Sequence, residues 1–170
     1  MREPSYCKDD DLTEALFKYG DTVRRICFVY LRNQADVEDA FQDVFLKLLQ
    51  SDVRFNDEEH LKAWLIRVSI NKCKDLCKSF WSKNVGSIED IEHTLEAEAL
   101  SEDESEVLQA VMALPAKYKE VIYLFYYEGY SVVQMAKLLQ QKENTIYSNL
   151  HRARQLLKKK LGGSSNEYTF

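Results

Sequence analysis

Proline and glycine are scarce, with two and five among 170 residues. So few turn-formers read as long helices joined by few loops, not as many short strands. No stretch approaches the roughly 20 consecutive apolar residues that span a bilayer. The N-terminus, MREPSYCKDDDL, is acidic and lacks the apolar core of a signal peptide. The chain is therefore expected in the cytoplasm, with no membrane insertion. His60, His93 and His151 stand in separate segments, with no nucleophile arranged beside them. There is no glycine-rich phosphate loop, no HExxH and no GxSxG, so no catalytic residue is assigned and no enzyme is expected. Of the four cysteines, Cys7, Cys27, Cys73 and Cys77, none forms a CxxC pair. Cys73 and Cys77 share a helical face, but no histidine completes a zinc spacing. They read as small side chains in a reduced protein, with a thiol switch or a metal pair as the alternative. No metal or other cofactor is assigned.

What is present is charge, strongly segregated. The formal net charge of −5 runs against the basic balance usual for a nucleic-acid binder. Locally the picture differs. Residues 60–83 carry Lys62, Arg67, Lys72, Lys74, Lys78 and Lys83 against Asp75 alone. Residues 137–160 carry Lys137, Lys142, Arg152, Arg154 and Lys158 to Lys160 against Glu143 alone. Between them, residues 84–108 hold many Asp and Glu and no Lys or Arg. Two basic blocks around an acidic one imply two nucleic-acid contacts joined by a tether.

Apolar periodicity predicts helices throughout, and nothing alternates as a strand. Leu12, Leu16, Phe17, Val23, Ile26, Cys27 and Tyr30 form the stripe of a first helix from Asp11 to about Tyr30. After a break at Asn33-Gln34, Asp36 can cap a second helix whose stripe is Val37, Ala40, Phe41, Val44, Phe45, Leu48 and Leu49. A loop over 51–57 leads to a third helix running to about Phe80, with Leu61, Trp64, Leu65, Val68 and Cys73 on its core face. Residues 84–105 read as a flexible acidic linker, partly helical near 91–100. A helix ending before Pro115 opens the second domain, and PAKYKEVIYLFYYEG follows with Gly129 as its stop. Ser131 can cap VVQMAKLLQ, and the last helix starts at Glu143 or Asn144. The expected fold is all-α, with two small helical domains over 1–83 and 106–163, the linker between them and a frayed tail over 164–170.

The segment from Tyr130 to Lys160 has the pattern of a helix-turn-helix, whose second helix enters the major groove of DNA. Ile146, Leu150, Ala153, Leu156 and Leu157 form its inward stripe. Lys142, Asn144, Thr145, Tyr147, Ser148, Asn149, His151, Arg152 and Arg154 are its candidate DNA contacts. Asn and Ser can bond base edges, Tyr can stack or reach a phosphate, and Arg neutralises phosphates. The aromatics from Tyr118 to Tyr130 are read as core in preference to a stacking platform for single strands. In the third helix, Arg67, Asn71, Lys72, Lys74 and Lys78, with Trp64 and Trp81 interleaved, suit a single-stranded or melted-duplex surface. A solvated charged face is the alternative there.

These motifs, in this order, resemble the extracytoplasmic-function RNA polymerase sigma factors of the sigma-70 family. AWLIRVSINKCKDLCKS is similar to their promoter-melting helix through Trp64, Arg67, Asn71 and Asp75. DVEDAFQDVFLKLLQ is similar to their core-polymerase-binding helix. LPAKYKEVIYLFYYEGYSVVQMAKLL and TIYSNLHRARQLLKK are similar to their C-terminal domain. The resemblance covers about Leu12 to Leu161. It implies a transcription initiation factor that binds the clamp helices of core RNA polymerase through Glu38, Asp39, Gln42, Asp43, Phe45 and Lys47. It further implies opening of the −10 element by the surface around Asn71, recognition of the −35 element by the C-terminal domain, contact with the polymerase flap, and restraint by a cognate anti-sigma factor. The sequence departs from the family's pattern at Gln140 and Gln141, where Gly and an apolar residue are usual, and at Tyr147 and Asn149, where Lys and Arg are frequent. A helix-turn-helix regulator acting without core polymerase is the alternative.

Overall fold

The structure, a computed structural model, describes residues 8–31, 33–83 and 106–162, with side chains for 11–31, 33–80 and 106–162. Cys7, the acidic segment, the tail and the Trp81 side chain lie outside the described residues. All described elements are helical. The chain divides into two compact units, Met1–Gly86 and Ser87–Phe170.

The first unit is three helices packed pairwise: α1 (Lys8–Leu31), α2 (Gln34–Gln50) and α3 (Glu58–Lys83). Its core joins Val23, Ile26 and Cys27 of α1, Val44 of α2, and Leu65, Ile66 and Cys73 of α3. Two details correct the reading from sequence. Asn33, not Asp36, caps α2: its side chain accepts from the amides of Ala35 (2.8 Å) and Asp36 (3.4 Å). Phe17 does not join the core stripe of α1. It is 95% exposed, while Ala15 and Tyr19 on either side of it are buried. At the start of α3 the Asp57 carboxylate accepts from the His60 amide at 2.7 Å. Trp64 is half-buried, edge-on to Phe55.

The second unit holds α4 (Glu106–Met112), α5 (Ala116–Ile122), a π-helical turn (Tyr123–Tyr127), α6 (Val132–Leu139) and α7 (Glu143–Leu161). α7 packs on α4, α5 and α6 through Ile146, Leu150, Ala153 and Leu157. Gly129, at φ 72, stops the π turn, a left-handed backbone that a side chain would strain. Ser131 then opens α6 with a capping box, its hydroxyl accepting from the Gln134 amide and its own amide donating to the Gln134 side chain. These two residues set where the π turn ends and α6 begins.

Candidate functional site

On α2, Asp39, Gln42, Asp43 and Lys47 are exposed along the side away from the core. Glu38 lies at the edge facing α1, where its carboxylate accepts from Arg24 Nε and Gln34 Nε2, each at 3.2 Å. Arg24 also sits 3.9 Å over the Phe41 ring. Phe45 departs from its assignment as a contact residue. It is 5% exposed and packs 4.9 Å from Phe41, so it supports the helix from beneath. The apolar residue that α2 turns outward is its neighbour Leu46, 50% exposed. Leu46 falls off the core stripe in the sequence, and that was the signal available for it.

On α3, Arg67, Asn71, Lys74 and Lys78 follow helical spacing and form one stripe. Arg67, Asn71 and Lys78 are exposed, and Lys74 is half-buried. Burial, and then the nearby charge of Lys78, lower the Lys74 pKa from its ordinary value. Lys72 is not on this stripe. It projects toward α2, and its Nζ lies 2.6 Å from Asp43 Oδ2. Cys73 is fully buried against Cys27. That sulfur contact and the burial push its thiol pKa upward, which leaves it the inert, protonated group of a packed core. Among the described residues, no cluster of three His, Cys, Asp or Glu side chains could hold a metal ion.

In the second unit, α6 and α7 meet at Gln140 and Gln141. Gln140 takes the left-handed conformation, φ 53 and ψ 44, and its amide reaches back to the carbonyls of Ala136 and Lys137. The turn therefore keeps its geometry without glycine, at a strain cost. On α7, Asn144, Thr145, Tyr147, Ser148, His151 and Arg152 are exposed, as is Lys142 just before it. Asn149 is half-buried. Gln155 shares the outward face of Asn144, Ser148 and Arg152, one turn beyond Arg152, and the sequence reading missed it. Arg154 sits apart from that face. Its Nε donates to the Tyr126 hydroxyl at 2.8 Å, and its guanidinium lies 5.6 Å from both the Phe125 and Tyr126 rings.

Two family models match the chain in sequence order: sigma-70 region 2 over residues 16–82 and sigma-70 region 4 over residues 104–157. The chain belongs to the sigma-70 family, in its extracytoplasmic-function branch. It is 27% identical over 140 residues to the ECF RNA polymerase sigma factor SigM of Mycobacterium tuberculosis, covering 82% of this chain and 71% of that one. It is 26% identical over 134 residues to the RNA polymerase sigma factor SigV of Bacillus subtilis, covering 79% and 81%. The fold is shared with the sigma factor RpoE crystallised with the anti-sigma factor NepR from Bartonella quintana, at TM-score 0.69 and 22% identity over 91% of this chain and 99% of that one. It is shared too with CnrH in complex with the cytosolic domain of CnrY, at TM-score 0.63 and 19% identity over 92% and 91%. The protein is a sigma factor: it binds core RNA polymerase and directs it to promoters. Its family comprises transcription factors rather than enzymes. No described helix of this sigma factor is long and apolar enough to cross a membrane.

Proposed function

We propose that α2 docks the polymerase clamp through Glu38, Asp39, Gln42, Asp43 and Lys47, while α3 opens the −10 element through Arg67, Asn71, Lys74 and Lys78. The supporting observation is the separation of the two surfaces. An acidic outward face on one helix and a basic stripe on the next give the two partners different surfaces. In the second unit, α7 reads the −35 element in the major groove. Asn144 and Ser148 reach base edges, and Lys142, Tyr147 and Arg152 lie toward the phosphates. The acidic residues 84–105 serve as the connector between a 1–83 and a 106–163 domain. The factor works in the cytoplasm, carries no chemistry of its own, and is held in check by an anti-sigma factor, the kind of partner with which RpoE is crystallised.

The test is charge reversal on α2. Asp39→Lys abolishes co-purification with core polymerase while leaving duplex DNA binding by the C-terminal unit intact. Unchanged co-purification rules out this assignment of α2.

A further inference from the structure

Two large apolar side chains stand in solvent on neighbouring helices of the first unit. Phe17 of α1 is 95% exposed and Leu46 of α2 is 50% exposed. Single exposed apolar residues are ordinary, whereas contiguous ones mark a contact surface. The register of the α1–α2 pair sets the two at one level on the same side of the unit. Arg24 meets Glu38 at 3.2 Å, and Gly20 lies against the Phe41 ring. The two helices are joined head to tail by the Asn33 cap and run antiparallel. Each turn backward along α1 thus matches one turn forward along α2. One further turn brings Phe17 level with the Phe45–Leu46 turn. Phe17 also lies two turns before Arg24 on the same side of α1, the side that reaches Glu38.

Phe17 and Leu46 therefore belong to one outward face, with Glu38, Asp39 and Gln42 beside them. We propose that Phe17 and Leu46 form the apolar centre of the surface that docks on core RNA polymerase, with the carboxylates of α2 as its polar rim. This rests on the assignment of α2 to the polymerase contact, and continuity with that face selects the occupant. An apolar anchor ringed by polar groups is the arrangement that concentrates binding energy in a protein interface. The acidic rim steers the encounter and contributes less to the final affinity.

The test is equilibrium titration of the full chain against its own core polymerase at two salt concentrations. Phe17→Ala and Leu46→Ala each weaken binding, Phe17→Ala by about tenfold or more, the value of burying one such side chain. The thermal midpoint of Phe17→Ala stays unchanged, because that side chain is 95% exposed, whereas Leu46→Ala, half of whose side chain packs in the fold, is compared with wild type at a temperature well below both midpoints. The loss is the same at both salt concentrations, whereas the loss caused by Asp39→Lys shrinks in high salt. Wild-type affinity in the Phe17→Ala/Leu46→Ala double variant, alongside a damaging Asp39→Lys, overturns the inference and leaves the α2 assignment standing. A wild-type dimer that Phe17→Ala converts to monomer also overturns it, since the face then belongs to a second copy. A wild-type chain that does not bind core polymerase removes the assignment beneath it and the inference together.

Discussion

Lys72 Nζ sits 2.6 Å from Asp43 Oδ2, so a lysine of the basic helix is held by a carboxylate of the acidic one. The pair is partly exposed, at 34% and 47% for the two side chains, and such pairs contribute about 1 kcal/mol or less. Its consequence is positional: Lys72 points toward α2 while Lys78 remains on the exposed stripe. Lys78→Ala is expected to lower the salt slope of single-stranded −10 DNA binding by holoenzyme by about 0.7. Lys72→Ala is expected to leave that slope unchanged. Equal changes in the two variants contradict the split.

Arg154 and Arg152 divide in the same way on α7. Arg152 is exposed on the outward face, and Arg154 is engaged by Tyr126 and Phe125. Arg152→Ala is expected to weaken binding to all duplexes and to reduce the salt slope by about 0.9. Arg154→Ala is expected to weaken binding without changing the slope, and Tyr126→Phe to reproduce part of that loss. Asn144→Ala or Ser148→Ala is expected to alter sequence preference instead. Fluorescence anisotropy over a salt series separates these outcomes.

The turn between α6 and α7 stores removable strain. Gln140→Gly relieves a left-handed φ of 53 and is expected to raise the stability of the C-terminal unit by about 1 kcal/mol. At the next position, the Gln141 Oε1 is buried without a hydrogen-bond partner among the described residues. Gln141→Leu removes that acceptor, and a further gain on the order of 1 kcal/mol is expected in chemical denaturation.

Glu120 gives the second unit a pH dependence. Burial pushes its carboxyl pKa up to about 8, so the folded state favours the protonated form. The associated stability is complete below the ordinary carboxylate value near 4.5 and is lost as pH rises toward 8. Glu120→Gln is expected to match the parent near pH 4.5 and to exceed it at pH 8 by one to a few kcal/mol, on the order set by the shift. Parallel melting curves across that pH range contradict the assignment.

Helical periodicity made most of this fold legible, because buried stripes such as Ile146–Leu150–Ala153–Leu157 repeat without interruption. What stayed hidden depends on one-residue choices that a broad stripe cannot make. Phe17 reads as a core position but faces solvent. Phe45 lies buried where the core stripe puts it, although the resemblance makes it a polymerase contact, and Leu46, which is off that stripe, faces solvent. Asn33 and Asp36 are both competent caps, and the helix starts at Gln34, so that Asn33 takes the role. The π turn is hidden among consecutive aromatics, since Tyr123–Tyr127 reads as a continuation of α5. It is that turn which carries Phe125 and Tyr126, the partners of Arg154. The stripe on α3 was readable from spacing alone. Lys72 follows Asn71 directly and cannot share its face.

Transcription reconstituted with purified core polymerase on a library of genomic fragments tests the central claim most directly. The sigma factor is expected to yield transcripts from discrete start sites, preceded by shared −10 and −35 elements and absent without it or with Asp39→Lys. Duplex DNA binding with no start site dependent on the protein would contradict its role as a promoter-specificity subunit.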